Sequence, residues 1–193
     1  MPKLTVMIPV YNVENYLAAI AAVSDFVKPA DIEWVATNFG GVEHRMEFVR
    51  EVDGISFYND SIGSSPTRTI AGLKAHDGDI VLIAGGYDKN LDYTELGEVI
   101  RDRVQSLVVV GETAIKIRQS VVNAFGRRDL IPIMHEMGFE SAVLAAFESA
   151  RAIKRKGITC SVILSPASAS FDMFKNFMER GDTFKEIVQK LEQ

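Results

Sequence analysis

The chain has a single cysteine, Cys160, in 193 residues, so an internal disulfide is excluded and a reducing, cytoplasmic setting fits. No apolar run approaches the roughly 18 residues that a membrane-spanning helix needs, and no signal peptide is visible. Lys/Arg-rich runs are absent and the net charge is −5, which argues against nucleic acid or an anionic membrane as the partner. Neither G-x-x-x-x-G-K-[ST] nor a strand followed by G-x-G-x-x-G occurs, so the common phosphate-binding fingerprints are missing. Internal repeats and low-complexity tracts are also lacking. What remains is an ordinary globular composition, 47% apolar and 24% charged, in a length that suits one domain or one domain plus a smaller piece.

The organising stretch runs from Gly54 to Lys89. Ile55 to Tyr58 is β-branched and aromatic, as in a short buried strand. Asn59-Asp60-Ser61 places polar side chains at its carboxyl end. Ser65 and Pro66 then suit the N-cap and first position of a helix with Ile70, Ala71 and Leu73 inward. Ile80 to Ala84 reads as a strand buried on both faces, and Gly85 to Lys89 forms a second polar tip. This β-α-β unit has polar loops at the carboxyl ends of both strands, the edge where open α/β sheets bind ligands.

Before that unit, Leu4 to Pro9 suits a short strand. Asn12 suits the cap of a helix through Val23, and Pro29 opens a second helix that Gly40-Gly41 stops. Met46 to Val52 alternates as a half-buried strand. After the unit, Tyr93 to Val104, Thr113 to Phe125 and Ser141 to Lys156 have helical period, while Ser106 to Val110 and Cys160 to Leu164 read as buried strands. Ile131 to Met134 suits a short strand or an extended link. Phe171 to Leu191 suggests two helices broken at Arg180-Gly181-Asp182. The pattern predicts an α/β fold, a Rossmann-like, mostly parallel sheet flanked by helices. Residues 1–41 fit it poorly and read as a separate piece.

His44, Arg45, Asp60, Ser64, Lys89 and the Ser165 to Ser170 loop all fall at predicted element ends. They suit an anionic ligand, with Lys89 as a point charge and the serines as hydroxyl donors; they equally suit solvated loops and helix caps. His76 and His135 lack a second ligand at metal spacing and read as surface residues. Cys160, within an apolar strand, reads as a small core residue and Trp34 as packing.

Longer motifs sharpen this reading. The run GVEHRMEFV, GISFYNDSIGSSPTRTIAGL, IVLIAGGYDK and VILSPASASFDMFKNFMERGDTF resembles the C-terminal domain of the Mur ligase family of peptidoglycan synthesis, in particular its D-glutamate-adding members. L-S-P-A-x-A-S-F-D followed by F-K-N-F-x-x-R-G is its most distinctive part. Asn12 to Ala19 resembles the H-N-x-x-N-x-x-A-A pattern at the end of the family's central domain. The resemblance implies a remnant of the central domain over 1–41 and the C-terminal domain over 42–193.

It also implies an ATP-dependent ligase. ATP phosphorylates the carboxylate of UDP-N-acetylmuramoyl-L-alanine, the amine of D-glutamate attacks the acyl phosphate, and ADP and phosphate leave. By position, Lys89, Ser64, Ser170, the backbone at Phe171 and the ring of Phe177 would hold D-glutamate. Asn15, Arg45, Asp60, His44 and Arg180 would serve the nucleotide. Mg²⁺ would be bound mainly outside this chain, by a central domain whose greater part, with the N-terminal domain, is missing. A monomer, inactive on its own, is expected. Two positions depart from the pattern: Ile62 stands where a lysine is usual, and Tyr11 where a histidine is.

Two other readings stand beside this one. The first is a non-catalytic nucleotide- or amino-acid-binding module on the same fold. The second is a family-2 glycosyltransferase, whose opening Val6 to Leu17 resembles; its acidic pair would be Asp77 and Asp79, which precede a strand rather than follow one.

Overall fold

The computed structural model describes residues 13–126 and 130–192, with the side chains of 13–16 excepted. The strand expected at Leu4 to Pro9 and the cap expected at Asn12 lie outside the described residues. Backbone contacts divide the chain into two units between Val42 and Glu43.

The first unit holds two helices, α1 (Val13–Val23) and α2 (Pro29–Asn38). Pro29 occupies the first position of α2, and the Asp31 carboxylate accepts from the Lys28 N–H at 3.0 Å, closing the start of the helix. The unit is too small to bury its apolar faces. Ile20, Val23, Val27, Ile32, Val35 and Phe39 line an open groove of about 360 Å³. Trp34, expected to be packed, is 65% exposed.

The second unit is a six-stranded sheet in the order β1-β2-β6-β3-β4-β5, built from β1 (Glu47–Val52), β2 (Ile55–Asn59), β3 (Asp79–Ala84), β4 (Val104–Val110), β5 (Ile133–Glu136) and β6 (Cys160–Leu164). The four pairings β2–β6, β6–β3, β3–β4 and β4–β5 are parallel. Only β1 runs antiparallel, joined to β2 by Asp53-Gly54, both at positive φ, in a two-residue hairpin. On one face lie α6 (Phe139–Lys154) and α7 (Phe177–Lys190); on the other lie α3 (Pro66–Ala75), α4 (Thr94–Arg103) and α5 (Ala114–Phe125).

Alternation within the central strands feeds both layers. Val81, Ile83, Val162 and Leu164 pack with Phe147 of α6 and Phe184 of α7. Ile80, Leu82 and Ile163 pack on the opposite face with Leu73, Ile100 and Ile117. Strands buried on both sides therefore read as continuous apolar runs. Among the described residues no helix is long and apolar enough to cross a membrane.

Three local expectations change. The break expected at Arg180-Gly181-Asp182 is absent, because α7 runs through it as one helix. Gly181 is there for close approach: a Cβ would stand 2.2 Å from His44 Nδ1. Ser65 takes the N-cap position of α3, but its hydroxyl bonds the Thr67 hydroxyl at 3.2 Å instead of capping. His76, expected at the surface, is only 8% exposed and packs edge-on against Tyr58, whereas His135 is exposed as expected.

Candidate functional site

The strand order places the carboxyl ends of β2, β6 and β3 side by side. Three sequence-distant loops therefore meet at one sheet edge: Asp60 to Ser65, Ser165 to Phe174 and Gly85 to Asn90. Backbone bonds join them in pairs. The Ala167 N–H donates to the Gly63 carbonyl at 2.8 Å, the Gly85 N–H to Pro166 at 2.8 Å, and the Tyr87 N–H to Ala169 at 2.9 Å.

Arg180, on the first turns of α7, binds this junction from beneath. Its Nε donates to the Ser61 hydroxyl at 3.0 Å and its Nη2 to the Ser61 carbonyl at 2.9 Å. Its Nη1 reaches the carbonyls of Ser168 and Ala169, both at 3.1 Å. The side chain is 2% exposed, and burial lowers its pKa to about 10, so it stays cationic at neutral pH. A planar, forked cation suits this task because one group can satisfy several converging carbonyls.

Asp60 plays the matching part on the other side. One carboxylate oxygen accepts from the Ser165 hydroxyl at 2.6 Å, the other from the Met46 N–H at 3.3 Å. Desolvation nevertheless raises its pKa to about 6, against the pull of those two bonds and of Arg45 and Arg68. Behind the β3 loop lies a hydroxyl chain: Tyr93 to Ser168 at 2.9 Å, Ser168 to Thr113 at 2.8 Å, and the Gly86 N–H onto Thr113 at 3.1 Å.

The residues singled out from sequence divide into two groups. Ser64, Lys89 and Phe171 reach solvent at the junction, and Ser170 lies just beneath, 2% exposed. Phe177 begins α7, with its ring edge-on to His44 at 5.9 Å and its carbonyl accepting from the Ser61 hydroxyl at 2.7 Å. Arg45 is exposed. By contrast His44, Asp60 and Arg180 are 4%, 5% and 2% exposed and have protein partners. His44 pairs its Nδ1 with the Asn59 amide at 3.0 Å. Asn15 lies on α1 in the other unit, among the residues whose side chains are not described.

The sequence of residues 44–163 matches the family model described as "Mur ligase, glutamate ligase domain". The chain belongs to this family.

Its relatives extend the match to nearly the whole chain. The UDP-N-acetylmuramoylalanine–D-glutamate ligase of Acetivibrio thermocellus is 53% identical over 97% of this chain, and that of Ruminiclostridium cellulolyticum 49% identical over 94%. These stretches amount to 40% and 38% of the two relatives, so the chain spans about two fifths of their length. Among solved structures, a Mycobacterium tuberculosis folylpolyglutamate synthase complexed with ADP superposes with a TM-score of 0.61 at 14% identity. It covers 92% of this chain and 39% of its own, a likeness of fold.

Among the described residues one group of metal-capable side chains comes together: Glu43, His44 and Asp182. It does not fit Mg²⁺. The Lys185 ammonium already sits between the carboxylates, 2.6 Å from Glu43 and 3.1 Å from Asp182, and supplies the positive charge there.

Sequence reasoning flagged the tips that hold Ser61 and Ser168 but missed Tyr93 and Thr113, which precede α4 and α5, and Thr69 within α3, whose hydroxyl lies 2.9 Å from that of Ser165. They are ordinary polar residues that only the packing of the loops turns into buried partners. Cys160 is 3% exposed, and burial pushes its thiol up to about 11, in keeping with a core residue.

Proposed function

We propose that this chain is the D-glutamate- and ATP-facing part of a ligase that adds D-glutamate to UDP-N-acetylmuramoyl-L-alanine through an acyl phosphate. The observation that carries the reading is the junction itself. An exposed lysine, two serines and aromatic rings meet at the carboxyl edge of a parallel sheet, in a chain about half identical to ligases of that name. D-Glutamate brings two carboxylates, which call for a cation and hydroxyl or N–H donors. Lys89 would take one carboxylate, Ser64, Ser170 and the backbone at Phe171 would donate to the ligand, and Phe177 would wall the pocket.

On the nucleotide side, Arg45 is exposed and free of hydrogen bonds and ion pairs among the described residues, which suits a phosphate contact that stabilises developing charge. His44, Asp60 and Arg180 would support that surface from behind. Asn15 would approach the adenine. Mg²⁺, which such phosphoryl transfer needs, would be held outside this chain. The chain's share of its relatives' length and the open apolar groove between α1 and α2 support further domains as its partner.

The test follows ADP release with ATP, Mg²⁺, UDP-N-acetylmuramoyl-L-alanine and D-glutamate, for the chain alone and with a separately made N-terminal and central-domain partner. Activity only in the mixture is expected. There Lys89→Ala should lower kcat/KM for D-glutamate by about 10- to 100-fold, the strength of one charge-assisted hydrogen bond. ADP release by the chain alone would overturn its dependence on a partner. No activity in either case, with Ile62→Lys also inactive, would move the assignment to a binding module.

A further inference from the structure

Lys89 is exposed at the tip of the β3 loop, and among the described residues its ammonium has neither hydrogen bond nor ion pair. It lies over the ring of Phe171, with Nζ 5.4 Å from the centroid. The adjacent carboxylate, Asp88, is already engaged: Lys116 pairs with it at 2.5 Å, and the Asn90 N–H donates to it at 2.8 Å. Lys116 also donates to the Asn90 side chain at 3.1 Å. The Phe171 ring is itself fixed, edge-on to Tyr87 at 6.0 Å. The backbone that carries the two rings is joined by the Tyr87–Ala169 bridge, whose acceptor carbonyl is also bound by Arg180.

We infer that Phe171 is a positioning residue that seats the Lys89 ammonium on its ring and presents it, still uncompensated, to a carboxylate ligand. The physical case lies in what an aromatic face does to a cation. It holds the cation through the ring quadrupole, but it carries no net charge and cannot neutralise it. A carboxylate in the same place would hold Lys89 more tightly and cancel its attraction for a second anion. Lys116 completes the arrangement by occupying the one carboxylate within the same loop. Seating the lysine beforehand reduces the rotamer freedom lost on binding. The identity of the ligand rests on the D-glutamate reading; the seat does not.

Two arms separate them. The first needs no ligand: in the isolated chain, proton NMR should show the Lys89 ε-methylene resonances shifted upfield by the ring current of Phe171. They should return to ordinary lysine positions in Phe171→Leu, and unshifted resonances in the unaltered chain would overturn the seat. The second is the partner-complemented ligase assay. Phe171→Leu should raise KM for D-glutamate about two- to fivefold, the strength of an exposed cation–π contact, and move kcat less. Phe171→Trp, with the stronger face, should hold KM at or below its starting value. If Lys89→Ala raises KM while Phe171→Leu leaves it unchanged, the positioning role is refuted and the D-glutamate reading stands. If Lys89→Ala itself leaves KM unchanged, the D-glutamate reading falls.

Discussion

Replacing Arg180 by alanine removes four hydrogen bonds at once, from one side chain to Ser61 Oγ and to the carbonyls of Ser61, Ser168 and Ala169. Those three carbonyls lie at the meeting of loops after β2 and β6, and the side chain between them is 2% exposed. Water that entered the vacated space would restore only some of the bonds. A buried acceptor left without a donor costs about 1–3 kcal/mol, and such losses are not additive within one network, so roughly 3–5 kcal/mol is expected overall. Arg180→Lys keeps the charge but has one nitrogen in place of a fork, and should fall about midway. The assay is urea unfolding followed by far-UV circular dichroism. Trp34, the only tryptophan, lies on α2 in the other unit, so the backbone signal is followed in place of its fluorescence. A loss for Arg180→Ala of less than about 1 kcal/mol, the scale of ordinary surface changes, would refute the view that this cation holds the junction together.

Two other outcomes follow from the same packing. Asp60 has its folded pKa raised to about 6 from an ordinary value near 3.8, so the folded chain keeps a proton there that the unfolded chain has lost between those pH values. Its contribution to stability is therefore most favourable below about pH 4 and declines as pH rises through 6, by about 3 kcal/mol in all. Asp60→Asn should remove that decline, which unfolding free energies of both proteins from pH 4 to pH 7 would reveal; parallel profiles would refute it. Gly181→Ala would gain about 1 kcal/mol in an exposed helix. Here a Cβ at 2.2 Å from His44 Nδ1 should instead destabilise by about 1–3 kcal/mol, and a rise in melting temperature would contradict the close approach.

Most element types were readable from the residues because their physics is local. The runs Ile80 to Ala84 and Cys160 to Leu164 are apolar without alternation, and that pattern belongs to strands covered on both faces. Ser141 to Lys156 has the helical period that α6 shows, starting two residues earlier at Phe139. The break expected in α7 failed for a tertiary reason: Gly181 lowers helix propensity, but His44 and Asn59 leave no room for any other residue. Asp53-Gly54 carried a hairpin signal that went unread, and with it the antiparallel edge strand.

The sequence by itself determined the α/β class, the loops that carry polar residues, and a family whose C-terminal-domain motifs run from Gly41 to Phe184. Those depend on propensity, periodicity and the chemistry of short segments. The tertiary structure decided which polar residues face solvent. Lys89 and Arg45 look outward, whereas Asp60 and His44, drawn from the same kinds of loop, and Arg180, on α7, are turned inward. The physical reason is the strand order. By laying β6 between β2 and β3, it brings three loops distant in sequence into one junction, whose converging carbonyls and hydroxyls needed a buried cation and a buried carboxylate to satisfy them.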